Sequence, residues 1–137
     1  MAGYSGTPLI KKLGIKSGFV VAFVNAPEGF ARGLDLPADV IMNKRSQQRL
    51  DLALLFVKSE KELMQKFSHL AAKLKPSGML WVAWPKKSSG VASDLSFTNV
   101  QSIGLATGLV DTKICAVDDV WSGLKFVFRV KDRARLT

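Results

Sequence analysis

Two stretches of this chain combine residue types that could do chemistry. Pro85-Lys86-Lys87-Ser88-Ser89-Gly90 brings together two ammonium groups, two hydroxyls and a flexible glycine. That set suits a phosphate or a carboxylate, because charge-assisted hydrogen bonds are the stronger ones. It lacks the Gly-x4-Gly-Lys-Ser/Thr spacing of a phosphate loop, so no nucleoside triphosphatase is indicated. A solvated loop is the competing reading. Asn25-Ala26-Pro27-Glu28-Gly29-Phe30 carries Glu28, one of only three glutamates in the chain. A lone carboxylate among lysines could act as a general base or hold an amine. Its ordinary alternative is an ion pair. Asp118-Asp119 could bind a cation, but adjacent carboxylates diverge at a strand end, and turns favour Asp anyway.

The remaining reactive side chains are sparse. The chain has one histidine and one cysteine, His69 and Cys115. His69 lies between Lys66 and Lys73, opposite the apolar positions Leu63, Phe67 and Leu70, which places it toward solvent. Cys115 lies in the apolar run Ile114-Cys115-Ala116-Val117 and reads as a small buried hydrophobe rather than a nucleophile. No Ser-His-Asp or Cys-His constellation follows. A zinc site and a disulfide framework are excluded on the same count, and no metal site is expected.

The 137 residues are 47% hydrophobic and 23% charged, which fits one domain over 1–137 with a real core and excludes a disordered chain. Twenty Lys+Arg against eleven Asp+Glu give a net charge of +9. A basic surface favours polyanions. The charges are nevertheless spread along the chain, from Lys11, Lys12 and Lys16 through Lys44, Arg45 and Arg49 to a tail with Arg129, Lys131, Arg133 and Arg135. No block resembles a nucleic-acid tract. The start lacks the apolar core of a signal peptide. The longest apolar runs are too short to span a bilayer, so no membrane role is expected. With an unpaired cysteine the default compartment is a reducing cytoplasm. Oligomeric state leaves no signal.

These residues must be positioned by a small number of elements. Thr7-Pro8 to Gly14 reads as one or two helical turns, with Thr7 as cap, Pro8 at the first position and Gly14 as the left-handed exit. Phe19–Val24, Leu50–Val57 and Met79–Trp84 are continuous apolar runs, the pattern of strands covered on both faces. Val40–Met42 is a weaker strand. Ser59 and Glu62 form a capping box that opens a helix to Leu74, with Leu63, Phe67, Leu70 and Leu74 inward. A second helix spans about Ser96 to Thr107, with Val100, Ile103 and Leu105 or Ala106 inward. Thr112–Val117 and Leu124–Val130 are the last strands, joined by a turn at Asp118–Gly123. Trp81 and Trp84, three apart on one strand, point to opposite faces. Trp121, in the turn, is the expected exposed aromatic and could cover a ligand.

Strands alternating with helices imply parallel pairing, and the terminal pair must be antiparallel. The element order resembles the C-terminal part of class I S-adenosylmethionine-dependent methyltransferases. The residues that carry this are Leu50–Val57, the helix from Ser59, the string Leu74-Lys75-Pro76-Ser77-Gly78-Met79-Leu80 and the final hairpin. The resemblance implies a shortened fold with a degraded cofactor site. Asn25-Ala26-Pro27-Glu28-Gly29 stands where that family has a Gly-x-Gly turn. About 25 residues, Asn25 to Arg49, must do the work of two strands with their helices, each crossover taking roughly a dozen residues. No acidic residue is placed for a cofactor ribose.

A nearly full-length resemblance is to a bacterial family without an assigned role, the domain of unknown function 3052 family. It rests on Met1-Ala2-Gly3-Tyr4-Ser5-Gly6-Thr7-Pro8-Leu9, Lys11–Lys16, Asn25–Phe30, Leu80–Val91, Gly104–Asp111, Ile114–Asp118 and Trp121–Leu124. It implies a bacterial cytoplasmic protein and brings no activity.

The expected fold is therefore α/β: a small, doubly wound, mostly parallel sheet with a C-terminal antiparallel hairpin, a shortened methyltransferase-like Rossmann variant. Ligands of such sheets bind outside the C-terminal strand ends. That edge selects Asn25, Glu28, Gly29, Lys58, Lys86, Lys87, Ser88, Ser89, Trp121 and Ser122 as candidate ligand-binding residues. The expected function is a non-enzymatic binding or regulatory module for a small anion or an acidic protein partner, with no cofactor. The alternatives are a small methyltransferase-related enzyme using Glu28 with Lys86 or Lys87, and non-specific nucleic-acid binding, possible on charge but not favoured.

Overall fold

The computed structural model describes residues 8–43 and 48–136. The expected Thr7 cap, the opening string Met1–Thr7 and the basic pair Lys44 and Arg45 lie outside the described residues. The elements in chain order are α1 (Leu9–Leu13), β1 (Val20–Val24), a 3-10 turn (Ala31–Gly33), β2 (Ile41–Met42), β3 (Leu50–Phe56), α2 (Glu60–Ala71), β4 (Leu74–Pro85), a second 3-10 turn (Lys87–Ser89), α3 (Phe97–Ala106), β5 (Val110–Ala116), β6 (Trp121–Val127), α4 (Val130–Arg133) and a last 3-10 turn (Ala134–Leu136).

The six strands form one sheet in the order β2-β1-β3-β4-β6-β5. The first four are parallel, and β6 runs antiparallel to both β4 and β5. The three apolar runs are neighbours in the expected order. Leu52 to Val57 are all buried, because β3 and its exit are covered on both faces. One face packs under α2 and α3, with Leu63, Phe67, Val100 and Phe126 among its core residues. The other packs under α1 and the segment after β1, around Leu13, Phe56, Trp81 and Trp121. Trp84 and Trp81 fall on opposite faces as their spacing requires. The buried Trp81 indole donates to the Leu13 carbonyl at 2.9 Å, which ties the end of α1 to the sheet. No described helix is long and apolar enough to cross a membrane.

Several boundaries differ from the sequence reading, each for a local reason. The helix opened by Ser59 stops at Ala71, because the Lys73 carbonyl accepts the Leu50 amide and Leu74 already pairs with Leu50. The Lys-Pro-Ser-Gly string is thus the irregular entry to β4. A Cβ at Gly78 would lie 2.9 Å from two carbonyl oxygens, so the close backbone approach requires glycine there. In α3, Leu105 and Ala106 are exposed rather than inward; the inward position is Gly104, over which the Phe126 ring lies. The last strand runs Trp121–Val127 instead of Leu124–Val130. Asp118 accepts the amides of Val120 and Trp121, both at 2.8 Å, and closes the turn early. The chain then ends in α4 and a 3-10 turn, not in the hairpin.

Gly104 offers a test of this packing. A Cβ there would sit 2.1 Å from Phe126 Cε2. Gly104→Ala is expected to destabilise the fold by about 1–3 kcal/mol through overpacking, read by urea denaturation. Adding Phe126→Leu should return part of that loss.

Candidate functional site

The chain leaves β1 toward β2 on one side and returns to β3 on the other, so strand order reverses between β1 and β3. In open α/β sheets that crevice is where ligands bind. Its lips are Asn25, after β1, and Lys58, after β3. Asn25 has φ 59, the one positive φ of a non-glycine among the described residues. Asn tolerates that conformation better than most side chains.

Glu62 spans the crevice. Its Oε2 accepts from Asn25 Nδ2 at 3.2 Å, and its Oε1 accepts the Lys58 backbone N–H at 3.2 Å. Its own amide donates to Ser59 Oγ at 3.1 Å. The expected capping box is therefore modified: the carboxylate reaches one residue past the cap and across to the neighbouring strand exit. Lys58 is held from behind as well. Its carbonyl accepts from Ser93 Oγ at 2.8 Å and from the Asp94 amide at 3.3 Å. Asp94 Oδ1 in turn accepts the Glu60 amide, adding a second acceptor at the start of α2.

In front of Glu62 lies a cleft of about 450 Å³, with Asn25, Lys58 and Glu62 on its polar side and Phe56, Val91 and Trp121 on its apolar side. Trp121 is a wall rather than a lid: it is 8% exposed. This corrects the expectation of an exposed aromatic, and the Asp118 turn is the reason, since it brings Trp121 into β6. Trp121 ends a chain of edge-to-face rings, with centroids 5.0 Å to Phe56, 5.0 Å on to Phe30 and 5.4 Å on to Phe23. Such contacts add to area burial. They fold the segment after β1 back onto the sheet, where Pro27 accepts the Phe30 amide and Gly29 the Gly33 amide. Gly29 takes φ 79 within this turn.

The other sequence candidates are dispersed. Glu28 and Gly29 border a separate hollow of about 290 Å³ with Val117 and Asp118. Lys86 is tied by its backbone to the Val120 carbonyl at 2.7 Å. Lys87 and Ser88 are exposed on the second 3-10 turn. The Ser89 hydroxyl donates to the Lys86 carbonyl at 2.6 Å and accepts the Val91 amide at 3.1 Å, so it shapes the loop. Ser122 sits within β6, opposite Trp84. The structure thus gathers Asn25, Lys58 and Trp121 around one cleft, and Glu28, Lys86, Lys87, Ser88, Ser89 and Ser122 do not line it. Glu62 is the residue that sequence reasoning assigned only to a helix cap. The Ser59-x-x-Glu62 spacing was its one signal, and that spacing says nothing of Asn25.

His69 is exposed. Cys115 is half-buried; burial pushes its thiol pKa up, against a smaller opposing pull from Lys12 and Lys113. Among the described residues no group of three or more His, Cys, Asp and Glu could hold a metal ion.

Three solved structures illustrate what this fold is similar to. A ribosomal protein L11 methylase from Lactobacillus delbrueckii subsp. bulgaricus aligns with TM-score 0.58 at 13% identity, over 88% of this chain and 75% of that one. A magnesium protoporphyrin IX methyltransferase from Synechocystis PCC 6803 with bound SAM aligns with TM-score 0.55 at 13% identity, over 88% and 74%. A SAM-dependent methyltransferase from Aquifex aeolicus gives 0.55 at 12% identity, over 86% of each chain. The scaffold is methyltransferase-like. No family model matches the chain, so the likeness to the domain of unknown function 3052 family gains no support there. No curated protein matches it either.

Glu62 is expected to contribute to stability through both lips. Glu62→Ala should cost about 1–2 kcal/mol, since it removes two hydrogen bonds to a charged acceptor at the edge of solvent. Asn25→Ala should lower the melting temperature more than Asn25→Gly, because alanine keeps the strained φ while glycine relieves it. Thermal denaturation of the three variants checks both statements.

Proposed function

We propose that this chain is a non-enzymatic binding or regulatory module on a methyltransferase-like scaffold, which holds a small anion or an acidic partner surface at the C-terminal edge of its sheet. We place it, on the strings given above, in the bacterial domain of unknown function 3052 family and in the cytoplasm. One observation carries the reading. The crevice at the strand-order reversal is spanned by the chain's own carboxylate, which takes the donors of both lips. A ligand's acidic group therefore finds that donor set satisfied. What remains at this edge are the ammonium groups of Lys58, Lys86 and Lys87, none paired with a carboxylate among the described residues. An anion is then held at the rim by lysines rather than deep in the crevice.

The same geometry weighs against the enzymatic alternative. Glu28 lines one hollow, and Lys86 and Lys87 line neither that hollow nor the central cleft. Convergence of base and cation on one cavity, which an active site needs, is not seen for this trio. The turn at Pro27 also lacks one amide, and the Phe30 and Gly33 amides are used within the loop.

Two measurements test this. S-adenosylmethionine is expected to give no saturable heat in calorimetry; a micromolar dissociation constant, about −8 kcal/mol, would overturn the reading in favour of an enzyme. Lys86→Ala with Lys87→Ala is expected to change stability by about 0.5 kcal/mol or less. Binding of a poly-glutamate peptide should fall about tenfold, at roughly 1.5–3 kcal/mol for a charged hydrogen bond, with a flatter salt dependence. Equal binding by wild type and the double variant at two salt concentrations would remove this loop from the site.

A further inference from the structure

A second cationic feature lies away from the strand-end edge, on the open part of the sheet beside α1. The register of β5 and β6 sets Lys113 directly opposite Lys125, and the register of β4 and β6 sets Lys125 opposite Trp81. The two lysines and the indole form one row across three strands on one face, with Lys125 Nζ 6.0 Å from the Trp81 ring centroid. Like charges directly opposite each other destabilise a strand pair. No carboxylate offsets this pair: among the described residues neither lysine has an acidic partner, and their contacts are the neutral Trp81 ring and the Lys12 carbonyl. The nearest acid along β5, Asp111, accepts from Gln101 of α3 at 3.2 Å and is drawn to the other face.

The pair is also held in place. Lys113 Nζ donates to the Lys12 carbonyl at 3.1 Å, at the carboxyl end of α1, which leaves it two further N–H donors. The Trp81 indole, donating to Leu13, fixes that same end of α1. Opposed residues of an antiparallel pair have Cβ atoms about 4.5–5.5 Å apart, so two ammonium groups there can reach oxygens of a single tetrahedral anion.

We propose that Lys113 and Lys125 hold a phosphate group of a small phosphorylated ligand on this face of the sheet. The bound dianion would relieve the like-charge opposition and accept from both ammonium groups. Lys125 supports this from a second direction. Partial burial, and after it Lys113, lowers its pKa below the ordinary lysine value, so a nearby anion would favour its charged form.

The test is calorimetric titration with inorganic pyrophosphate at fixed ionic strength, alongside thermal melts. Wild type should bind saturably, and Lys113→Gln and Lys125→Gln should each weaken binding about tenfold. In the Lys86→Ala with Lys87→Ala background a saturable pyrophosphate site should remain, and Lys125→Gln should still weaken it, which separates this site from the rim lysines. Without pyrophosphate, Lys113→Gln and Lys125→Gln should melt at or above wild type; with it, wild type should overtake them. The proposal is overturned if pyrophosphate does not saturate, or if Lys125→Gln binds it equally. Loss of binding only in the Lys86/Lys87 variant would also overturn it. So would binding of a short single-stranded oligonucleotide, lost in the Lys113 and Lys125 variants, with no response to pyrophosphate; that result would assign the face to a nucleic-acid backbone.

Discussion

The burial of β3 on both faces constrains everything else in this molecule. From Leu52 onward no residue of that strand reaches solvent, so two covering layers are obligatory. On one face α2 and α3 supply the cover. On the other face the chain between β1 and β3 is too short for crossover helices, and a five-residue α1 covers only the region of Trp81. Phe23, Phe30, Phe56 and Trp121 make up the shortfall by stacking edge to face along the strand ends. The shape of the site follows from that substitution. An aromatic loop, where a longer chain would carry a helix, draws the exit of β1 inward and leaves its lip to be tied down by Asn25 and Glu62.

Much of the fold was legible because it rests on one-dimensional patterns. Three continuous apolar runs specified doubly covered parallel strands, and a short final connection required an antiparallel pair. The count of residues between Asn25 and Arg49 left space for one strand, and the two residues of β2 are what that space holds. Legibility failed where a non-local contact decided the outcome. Leu105 looks inward on periodicity, yet Phe126 from β6 presses on Gly104 and turns the helix to expose Leu105. Lys75-Pro76-Ser77-Gly78 looks like a stop, yet β3 offers it pairing partners. Trp121 looks like a loop residue, yet the Asp118 carboxylate closes the turn before it.

The candidate site divides along the same line. Its location follows from topology, and Asn25 and Lys58 are named simply by following strand ends. The cross-strand reach of Glu62 depends on how far α2 sits from the exit of β1, which no local pattern encodes. The loop Lys86–Ser89 drew attention by its composition, but composition does not reveal that Ser89 is already engaged with its own backbone. The lysine row on β5 and β6 was equally hidden, since Lys113 and Lys125 become neighbours only through the hairpin register.

The bridge at Glu62 also has a kinetic and concentration aspect. A side chain tethered to the first turn of α2 competes for the donors of Asn25 and Lys58 at an effective concentration of roughly millimolar, as an intramolecular group does. A free carboxylate of similar intrinsic fit, present at micromolar levels, is outcompeted there. Occupancy of the crevice is thereby restricted to molecules that bring further contacts of their own, against the Phe56 and Trp121 wall or the Lys58 ammonium. The single carboxylate acts as a filter, setting a threshold of total binding energy below which the crevice stays closed to passing metabolites.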